Sequence, residues 1–260
     1  MENRLDYCEG GVNMILAVCG KGGVGKTTVS AIAAQALAEK NGLRALVVDA
    51  DPAGGLGMAL GLTPRRTLND VRKEIIEEVK EGKRDKRDLS VSLDYLIAEA
   101  LTERGNMAFL SIGRPEDEGC YCKVNVILKD TIEGLAGRFD ATVIDAEAGI
   151  EQVNRKVISS VDYMLLVSDT SAKAVRVVET IKDVADRMIG NEGAGLVVNR
   201  VRDRAEIEGI QSGTALDVIG WVPEDDTIRR FDGEEKSFLE LPDCPARAAI
   251  RGALVRAGLL

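Results

Sequence analysis

The sequence predicts an α/β protein built as a doubly wound, mostly parallel sheet of seven strands with helices on both faces. Two observations favour this fold class. Short apolar runs recur along the chain without regular polar alternation, which is typical of strands that helices cover on both sides. Segments with apolar residues at helical spacing lie between these runs, so strands and helices alternate along the chain.

The first predicted strand begins at Met14 with MILAVCG, and a glycine-rich turn follows it. The next residues have the apolar spacing of a helix, which Gly42 closes. A second clear helical pattern covers residues 172–189. The other six predicted strands are ALVVDAD (45–51), AFLSIG (108–113), ATVIDAE (141–147), DYMLLVSD (162–169), GLVVNRV (195–201) and ALDVIGWV (215–222).

Residues 63–92 interrupt this alternation, because they are dense in charge and contain one helical stretch near residues 68–79. We interpret them as a solvated helix and loop inserted after the second strand, with a partner-docking surface as the alternative. The chain has no internal repeat and no low-complexity linker. We therefore predict a single domain over residues 14–260, preceded by a short extension of residues 1–13.

The composition is that of a globular protein, with 45% apolar and 30% charged residues among 260. A net charge of −9 disfavours a general affinity for nucleic acid or for anionic lipid. The apolar runs are shorter than the roughly 18 residues that span a bilayer, and the N-terminus is too polar for a signal peptide. We expect a cytoplasmic protein without nucleic-acid or membrane partners, whose five cysteines are reduced thiols.

Residues 20–28 read GKGGVGKTT, which matches the pattern G-x-x-x-x-G-K-[ST] between a strand and a helix and predicts a P-loop NTPase. In this arrangement backbone N–H groups surround a phosphate, Lys26 reaches the β- and γ-oxygens, and the Thr27 hydroxyl ligates Mg²⁺. The residues predicted to contact the nucleotide phosphates are Gly20, Gly22, Gly23, Val24, Gly25, Lys26, Thr27 and Thr28.

Lys21 adds a second lysine inside the loop, and GKGGVGKT resembles the deviant Walker A motif of the MinD, ParA and nitrogenase iron-protein family. The resemblance implies an ATP-dependent homodimer in which Lys21 reaches the nucleotide of the partner subunit. It covers essentially residues 14–260, and it implies that the protein hydrolyses ATP to ADP and phosphate.

Other positions resemble the same family. Residues 49–52 (DADP) look like its switch I, in which Asp51 would orient the attacking water. Asp145 and the following AEAGIE look like Walker B and switch II, in which Asp145 would hold Mg²⁺ through water. The catalytic residues that the resemblance implies are Lys21, Lys26, Asp51 and Asp145. Gly54 and Gly55 depart from the polar residues usual after switch I, which predicts slow hydrolysis or a mobile switch.

Asn199 and Arg200 end the sixth predicted strand and resemble the adenine-reading asparagine segment of the family. Val222 and Pro223 follow the seventh strand and resemble its adenine-flanking segment. The resemblance therefore implies ATP, with Mg²⁺, as the bound nucleotide.

Cys120 and Cys122 lie one residue apart after the third predicted strand, in a chain that contains no histidine. Residues two apart at a strand exit can point the same way, so both sulfurs can converge on one spot. One chain supplies two thiolates and a dimer supplies four, which would close a site for nickel, zinc or an iron–sulfur cluster. The alternative is that the two cysteines are incidental loop residues or a redox pair.

The phrase GRPEDEGCYC resembles the CooC-type maturation ATPases of nickel carbon monoxide dehydrogenase, and EAGIE at 147–151 fits the same group. The resemblance implies a homodimeric metallochaperone that binds nickel or zinc between subunits through Cys120 and Cys122. Its acceptor would be nickel carbon monoxide dehydrogenase or acetyl-CoA synthase. Two rivals are an iron–sulfur ATPase for electron transfer and a ParA/MinD-type positioning ATPase.

The C-terminal residues ARAAIRGALVRAGLL could form an amphipathic membrane anchor or a final helix that packs on the sheet. We favour packing on the sheet, because Gly252 and Gly258 would weaken an isolated helix.

Overall fold

The computed structural model describes residues 13–40, 42–81, 89–114, 122–146, 161–188 and 193–260. Its described strands are β1 (Met14–Gly20), β2 (Ala45–Asp49), β3 (Thr102–Arg104), β4 (Met107–Ser111), β5 (Ala141–Asp145), β6 (Tyr163–Ser168), β7 (Gly193–Val201) and β8 (Val218–Pro223). Its described helices are α1 (Lys26–Ala38), α2 (Gly55–Leu60), α3 (Leu68–Lys80), α4 (Leu89–Ala100), α5 (Cys122–Ala136), α6 (Ala172–Met188), α7 (Arg204–Gly213), α8 (Asp226–Gly233) and α9 (Pro245–Arg256), with a 3₁₀ turn at Phe238–Glu240.

The described strands form a single sheet in the order β3-β4-β2-β5-β1-β6-β7-β8, and every neighbouring pair is parallel except β3 with β4. The predicted doubly wound sheet is confirmed, but it has eight strands rather than seven. The additional strand, β3, consists of the residues TER at the edge of the sheet. This strand could not be recognised in the sequence, because its three polar or charged residues do not form the apolar run by which the other strands were predicted.

The strands bury side chains on both faces of the sheet, with a period of two. In β1, Leu16 and Val18 belong to the apolar core that also contains the buried face of α1, whereas Ala17 and Cys19 belong to the core on the other face. Helix α9 packs on the α1 side, and α3 to α6 pack on the opposite side. Burial on both faces explains why the strands read as continuous apolar runs.

The charged segment at residues 63–92 is more integrated than a solvated insertion. Helix α3 buries Leu68, Val71 and Ile75 in the core on its side of the sheet, so the interpretation of this stretch as a solvated helix was wrong. Helix α4 begins within the segment at Leu89, and its buried residues start after the segment, at Leu93. Residues 82–88, which include the run KRDKR, lie outside the described residues.

The C-terminal helix α9 packs on the protein. Its residues Ala246, Ile250, Ala253 and Leu254 are buried against β8 and α1. Glu39, just after α1, also accepts hydrogen bonds from two arginines of α9. Among the described helices, none combines the length and apolar character that a membrane span requires. The predicted extension lies outside the described residues except for Asn13, and the single-domain boundary stays a prediction.

Candidate functional site

The loop between β1 and α1 has a backbone that only glycine accommodates at several points. Gly23 and Gly25 have φ angles of +83° and +93°, which favour glycine. A Cβ on Gly20 would lie 2.1 Å from the carbonyl oxygen of Val167, and one on Gly25 would lie 2.3 Å from the Asn199 amide nitrogen. Gly20, Gly23 and Gly25 of the predicted phosphate loop therefore have specific steric or conformational reasons to be glycine in this fold.

Lys26 is the first residue of α1, and it is only 8% exposed. Its Nζ lies 3.4 Å from the carbonyl oxygen of Lys21 and donates to it, so the ammonium group folds back over the loop. The adjacent helix N-terminus supplies unpaired backbone N–H groups and a partial positive charge. A loop of this kind, with a nearly buried lysine, is chemically suited to hold a phosphate chain.

Asp145, at the end of β5, faces two hydroxyl groups of α1. It accepts hydrogen bonds from Thr27 at 2.9 Å and from Ser30 at 3.0 Å. Burial raises the pKa of Asp145 to about 6, although both hydroxyl groups and Lys26 act in the opposite direction. The carboxylate and hydroxyl oxygens form a hard, oxygen-only donor set, which fits Mg²⁺.

The exit of β2 is held by Asp49. One of its carboxylate oxygens accepts from the Asp51 N–H, and the other accepts from the N–H groups of Leu56 and Gly57. Burial and the nearby Asp145 raise the pKa of Asp49 to about 7. Asp51 is half-buried and accepts from the Ala53 N–H at 2.8 Å. From the sequence, a role was assigned to Asp51 only. In the structure it is the buried Asp49 whose hydrogen bonds hold this turn.

A cleft of about 290 Å³ opens beside the loop. It brings together all four residues that were predicted to contact adenine. Gly25 and Thr28 also line it. Asn199 donates from Nδ2 to the carbonyl oxygen of Val24 at 2.8 Å. Arg200 donates to the carbonyl oxygen of Gly23 at 3.0 Å and has a φ angle of +58°. The predicted adenine residues lining the cleft are Asn199, Arg200, Val222 and Pro223.

The other residues that line the cleft were not predicted. Asp225 connects the starts of helices α8 and α9. Its carboxylate accepts hydrogen bonds from the Thr227 N–H of α8 and from the Ala246 N–H of α9. An aspartate before a helix is a recognisable N-cap signal, but the second contact has no signature in the sequence. The lining residues that sequence reasoning missed are Glu224, Asp225, Ile228, Arg229, Asp232, Ala246 and Ile250.

The predicted thiol pair lies largely outside the described residues. Cys120 lies outside the described residues, and for Cys122 only the backbone start of α5 is described. Within the described ranges, no three or more cysteine, aspartate or glutamate side chains cluster as metal ligands would. Cys19 and Cys244 are buried free thiols, and burial raises the pKa of Cys19 to about 12. A thiol with such a pKa is poorly suited to bind metal as a thiolate.

Comparison with known proteins gives relatives over most of the chain. An uncharacterized ATP-binding protein of Methanocaldococcus jannaschii is 35% identical over 88% of this chain and 92% of its own length. The septum site-determining protein MinD of Bacillus subtilis is 31% identical over 91% of this chain and 85% of its own. The carbon monoxide dehydrogenase accessory protein CooC of Rhodospirillum rubrum is 27% identical over 93% of this chain and 96% of its own.

Solved structures share the fold. The septum site-determining protein MinD of Pyrococcus horikoshii, complexed with Mg-ADP, matches with a TM-score of 0.64 and 21% identity, over 92% of this chain and 93% of its own. The family model described as the CobQ/CobB/MinD/ParA nucleotide binding domain matches residues 15–238. The chain therefore belongs to the CobQ/CobB/MinD/ParA family and is a P-loop ATPase.

Proposed function

We propose that this chain is an ATP-dependent homodimeric metallochaperone, which binds nickel through Cys120 and Cys122 and delivers it to nickel carbon monoxide dehydrogenase or acetyl-CoA synthase. One observation carries the proposal: a C-x-C pair follows β4, in an ATPase whose histidine-free sequence leaves sulfur as its soft ligand. The similarity to the accessory protein CooC of Rhodospirillum rubrum supports the choice of acceptor.

The location of the pair in the fold supports a link with the nucleotide. β4 is the parallel neighbour of β2. The chain therefore leaves β4 at the carboxyl ends of the strands, where Asp49 and Asp51 also lie. In an open α/β sheet, ligands bind at the carboxyl ends of the strands. The chain that leads to Cys120 therefore starts beside the loop that we propose responds to ATP.

In the proposed ATPase reaction, N–H groups of residues 20–28 bind the phosphates and Lys26 holds the β- and γ-oxygens. Thr27 and Asp145 would hold Mg²⁺, Thr27 directly and Asp145 through water. When bound, the ion would neutralise part of the negative charge on the phosphates. Asp51 orients the attacking water, and Lys21 reaches the nucleotide of the partner subunit. The cleft lined by Asn199, Arg200, Val222 and Pro223 takes the adenine.

The proposed release step follows from ligand count. Two chains that close around ATP bring four thiolates together, which makes a complete tetrahedral site for a thiophilic metal. When hydrolysis lets the dimer relax, each chain keeps only two of the four thiolates. Loss of two ligands weakens metal binding by orders of magnitude, so opening of the dimer is sufficient to release the cargo.

A ParA/MinD-type positioning ATPase is the second candidate, because the Bacillus subtilis MinD protein is also a relative over most of the chain. Such a role would need affinity for a membrane or for DNA. Burial of the apolar face of α9 against β8 and α1 speaks against this helix as a membrane anchor. ATP-dependent cosedimentation with liposomes or with DNA would favour the positioning role.

The deciding experiment is an anaerobic Ni²⁺ titration with ADP and with ATP, with molar mass measured in parallel. We expect about one nickel per two chains. The variant Cys120→Ser/Cys122→Ser should lose the nickel while nucleotide affinity survives, and Cys8→Ser serves as the matched control. Iron with sulfide in place of nickel would move the protein to the electron-transfer class. The absence of any cysteine-dependent metal binding would overturn the proposal.

A further inference from the structure

We propose that Arg229 is a further base-binding residue of the cleft, whose guanidinium group stacks on one face of the bound adenine. The inference rests on one part of the proposed function, the assignment of adenine to this cleft, and it does not depend on the identity of the cargo. It adds a stacking position for a flat base to the contacts that the family resemblance implies at Asn199, Arg200, Val222 and Pro223.

Helix α8 brings Arg229 to the cleft. Ile228, Arg229 and Asp232 all line the cleft, and Asp232 is a neighbour of both other residues on the helix surface, because it follows them by three and four positions. Asp225 fixes the start of this helix, since its carboxylate accepts from the Thr227 N–H at 2.8 Å. The same carboxylate also accepts from the first turn of α9 at 3.0 Å. The backbone of α8 therefore holds Arg229 beside the cleft.

The side chain of Arg229 lies at the mouth of the cleft. It lines the cleft and is nevertheless 70% exposed, so it does not fill the interior. The lining also includes Val222, Pro223, Ile228 and Ile250, whose apolar side chains suit the flat surface of a base. A base that fills this apolar slot therefore reaches Arg229 where the cleft opens to solvent.

The guanidinium group of Arg229 contacts two carboxylates. Its Nη2 lies 3.7 Å from Glu224 Oε2, and its Nη1 donates to Asp226 Oδ1 at 3.3 Å. The Asp226 side chain is 96% exposed, and ion pairs between exposed side chains contribute little to stability. Glu224 also pairs with Arg202 Nε at 3.0 Å, so it keeps a cationic partner when Arg229 turns away. Arg229 can therefore exchange these partners for a base at small cost.

The chemistry of the guanidinium group suits this position. The group is planar and weakly hydrated, and it stacks on the faces of aromatic rings. Adenine presents such a face whichever of its edges is hydrogen-bonded, so stacking by Arg229 is compatible with an edge contact by Asn199. Arg200 also lines the cleft, but it donates to the carbonyl oxygen of Gly23 at 3.0 Å and is thereby held at the phosphate loop. The stacking role therefore falls to Arg229, whose partners are exchangeable.

The test compares the binding of ADP with that of pyrophosphate, which lacks the base. Calorimetric titrations at fixed Mg²⁺ and salt concentrations measure both affinities, and the use of ADP avoids turnover of ATP during the measurement. Arg229→Ala should lower the affinity for ADP by about three- to thirtyfold, the range of a cation–π contact. Its affinity for pyrophosphate should stay within about twofold of wild type, because salt screens the loss of one exposed charge.

Two substitutions separate stacking from charge. Arg229→Phe keeps a flat group without the charge, so it should recover part of the ADP affinity that Arg229→Ala loses. Arg229→Lys keeps the charge without the flat group and should recover less than Arg229→Phe. Arg230→Ala is the matched control, because it removes the next arginine of α8, which is exposed and lies outside the lining of the cleft, and it should keep the wild-type ADP affinity. Thermal unfolding of each variant checks that it is folded.

An unchanged ADP affinity in Arg229→Ala would overturn the inference. So would an equal loss of affinity for ADP and pyrophosphate, or a larger recovery in Arg229→Lys than in Arg229→Phe, since the arginine would then act through its charge.

Asn199→Ala distinguishes this failure from a failure of the adenine assignment. It should lower the ratio of ADP affinity to pyrophosphate affinity whether or not Arg229 stacks on the base. If Asn199→Ala changes the ratio and Arg229→Ala does not, the stacking inference alone is rejected. If neither variant changes the ratio, the assignment of adenine to the cleft is rejected with it. The nickel titration is independent of these results, so the proposals can fail separately.

Discussion

Asp49 and Asp145 lie directly opposite each other at the ends of the neighbouring parallel strands β2 and β5. Both carboxyl groups are buried, and the charge of Asp145 contributes to the raised pKa of Asp49. Two buried carboxylates side by side favour the protonated form of at least one of them. The pair is therefore a source of pH dependence in the protein without nucleotide or metal.

The stability that this pair contributes should fall as pH rises from about 4 to 7, because the two carboxyl groups bind protons more tightly in the folded protein than in the unfolded chain in this range. The pKa values of about 6 for Asp145 and about 7 for Asp49 set its upper limit. Asp145→Asn should flatten this dependence and stabilise the protein at pH 8 by about 1 kcal/mol. Calorimetry at several pH values, without nucleotide or Mg²⁺, measures the effect, with exposed Asp226→Asn as the control. A slope as steep in Asp145→Asn as in wild type would contradict the prediction.

Gly25→Ala should destabilise the protein by about 2 kcal/mol or more, because the positive φ and the close approach of Asn199 both oppose a side chain. Gly22→Ala is the matched control, since a Cβ there would meet no heavy atom within 4 Å. Its stability should lie within about 0.5 kcal/mol of wild type. Urea denaturation without nucleotide measures the free energy of unfolding of both variants. Equal losses of stability would contradict the prediction and would show that the loop rearranges.

Asn199→Ala should lower the free energy of unfolding by about 1–3 kcal/mol, because the buried carbonyl oxygen of Val24 then loses the hydrogen bond from the asparagine side chain. The same change should lower nucleotide affinity, since the amide also lines the cleft. Asn106→Ala, in an exposed turn, should change neither. Denaturation and a fluorescent-nucleotide titration give the two readouts, and full stability in Asn199→Ala would be the contrary result.

Leu254→Ala should destabilise the protein by about 2–5 kcal/mol, because this side chain of α9 is 0% exposed. Val255→Ala, next to it and 58% exposed, should stay within about 0.5 kcal/mol of wild type. Thermal unfolding distinguishes the two variants. If instead Leu254→Ala kept full stability but lost binding to liposomes, α9 would act as a membrane anchor.

The glycine-rich loop between a strand and a helix could be predicted from the sequence, because its pattern occupies nine contiguous residues, and its phosphate contacts stay a prediction. Only part of the lining of the cleft was predicted. Asn199 and Val222 belong to strand ends that the family resemblance covers, whereas Asp225 joins two helix starts, and one of its partners lies 21 residues later. Likewise, the role of Asp49 depends on N–H groups of α2, a helix that the sequence did not reveal. Contacts set by chain folding leave no local pattern.

The short strand β3 has a consequence for how this chain can associate. It contains three residues, two of them charged and exposed, and it runs antiparallel to β4 at the margin of the sheet. A short, charged margin is a poor template for strand addition by another molecule. The β3 side of the sheet is therefore a poor place for another strand to be added. The homodimer that we propose should therefore use a different surface of the protein from this margin.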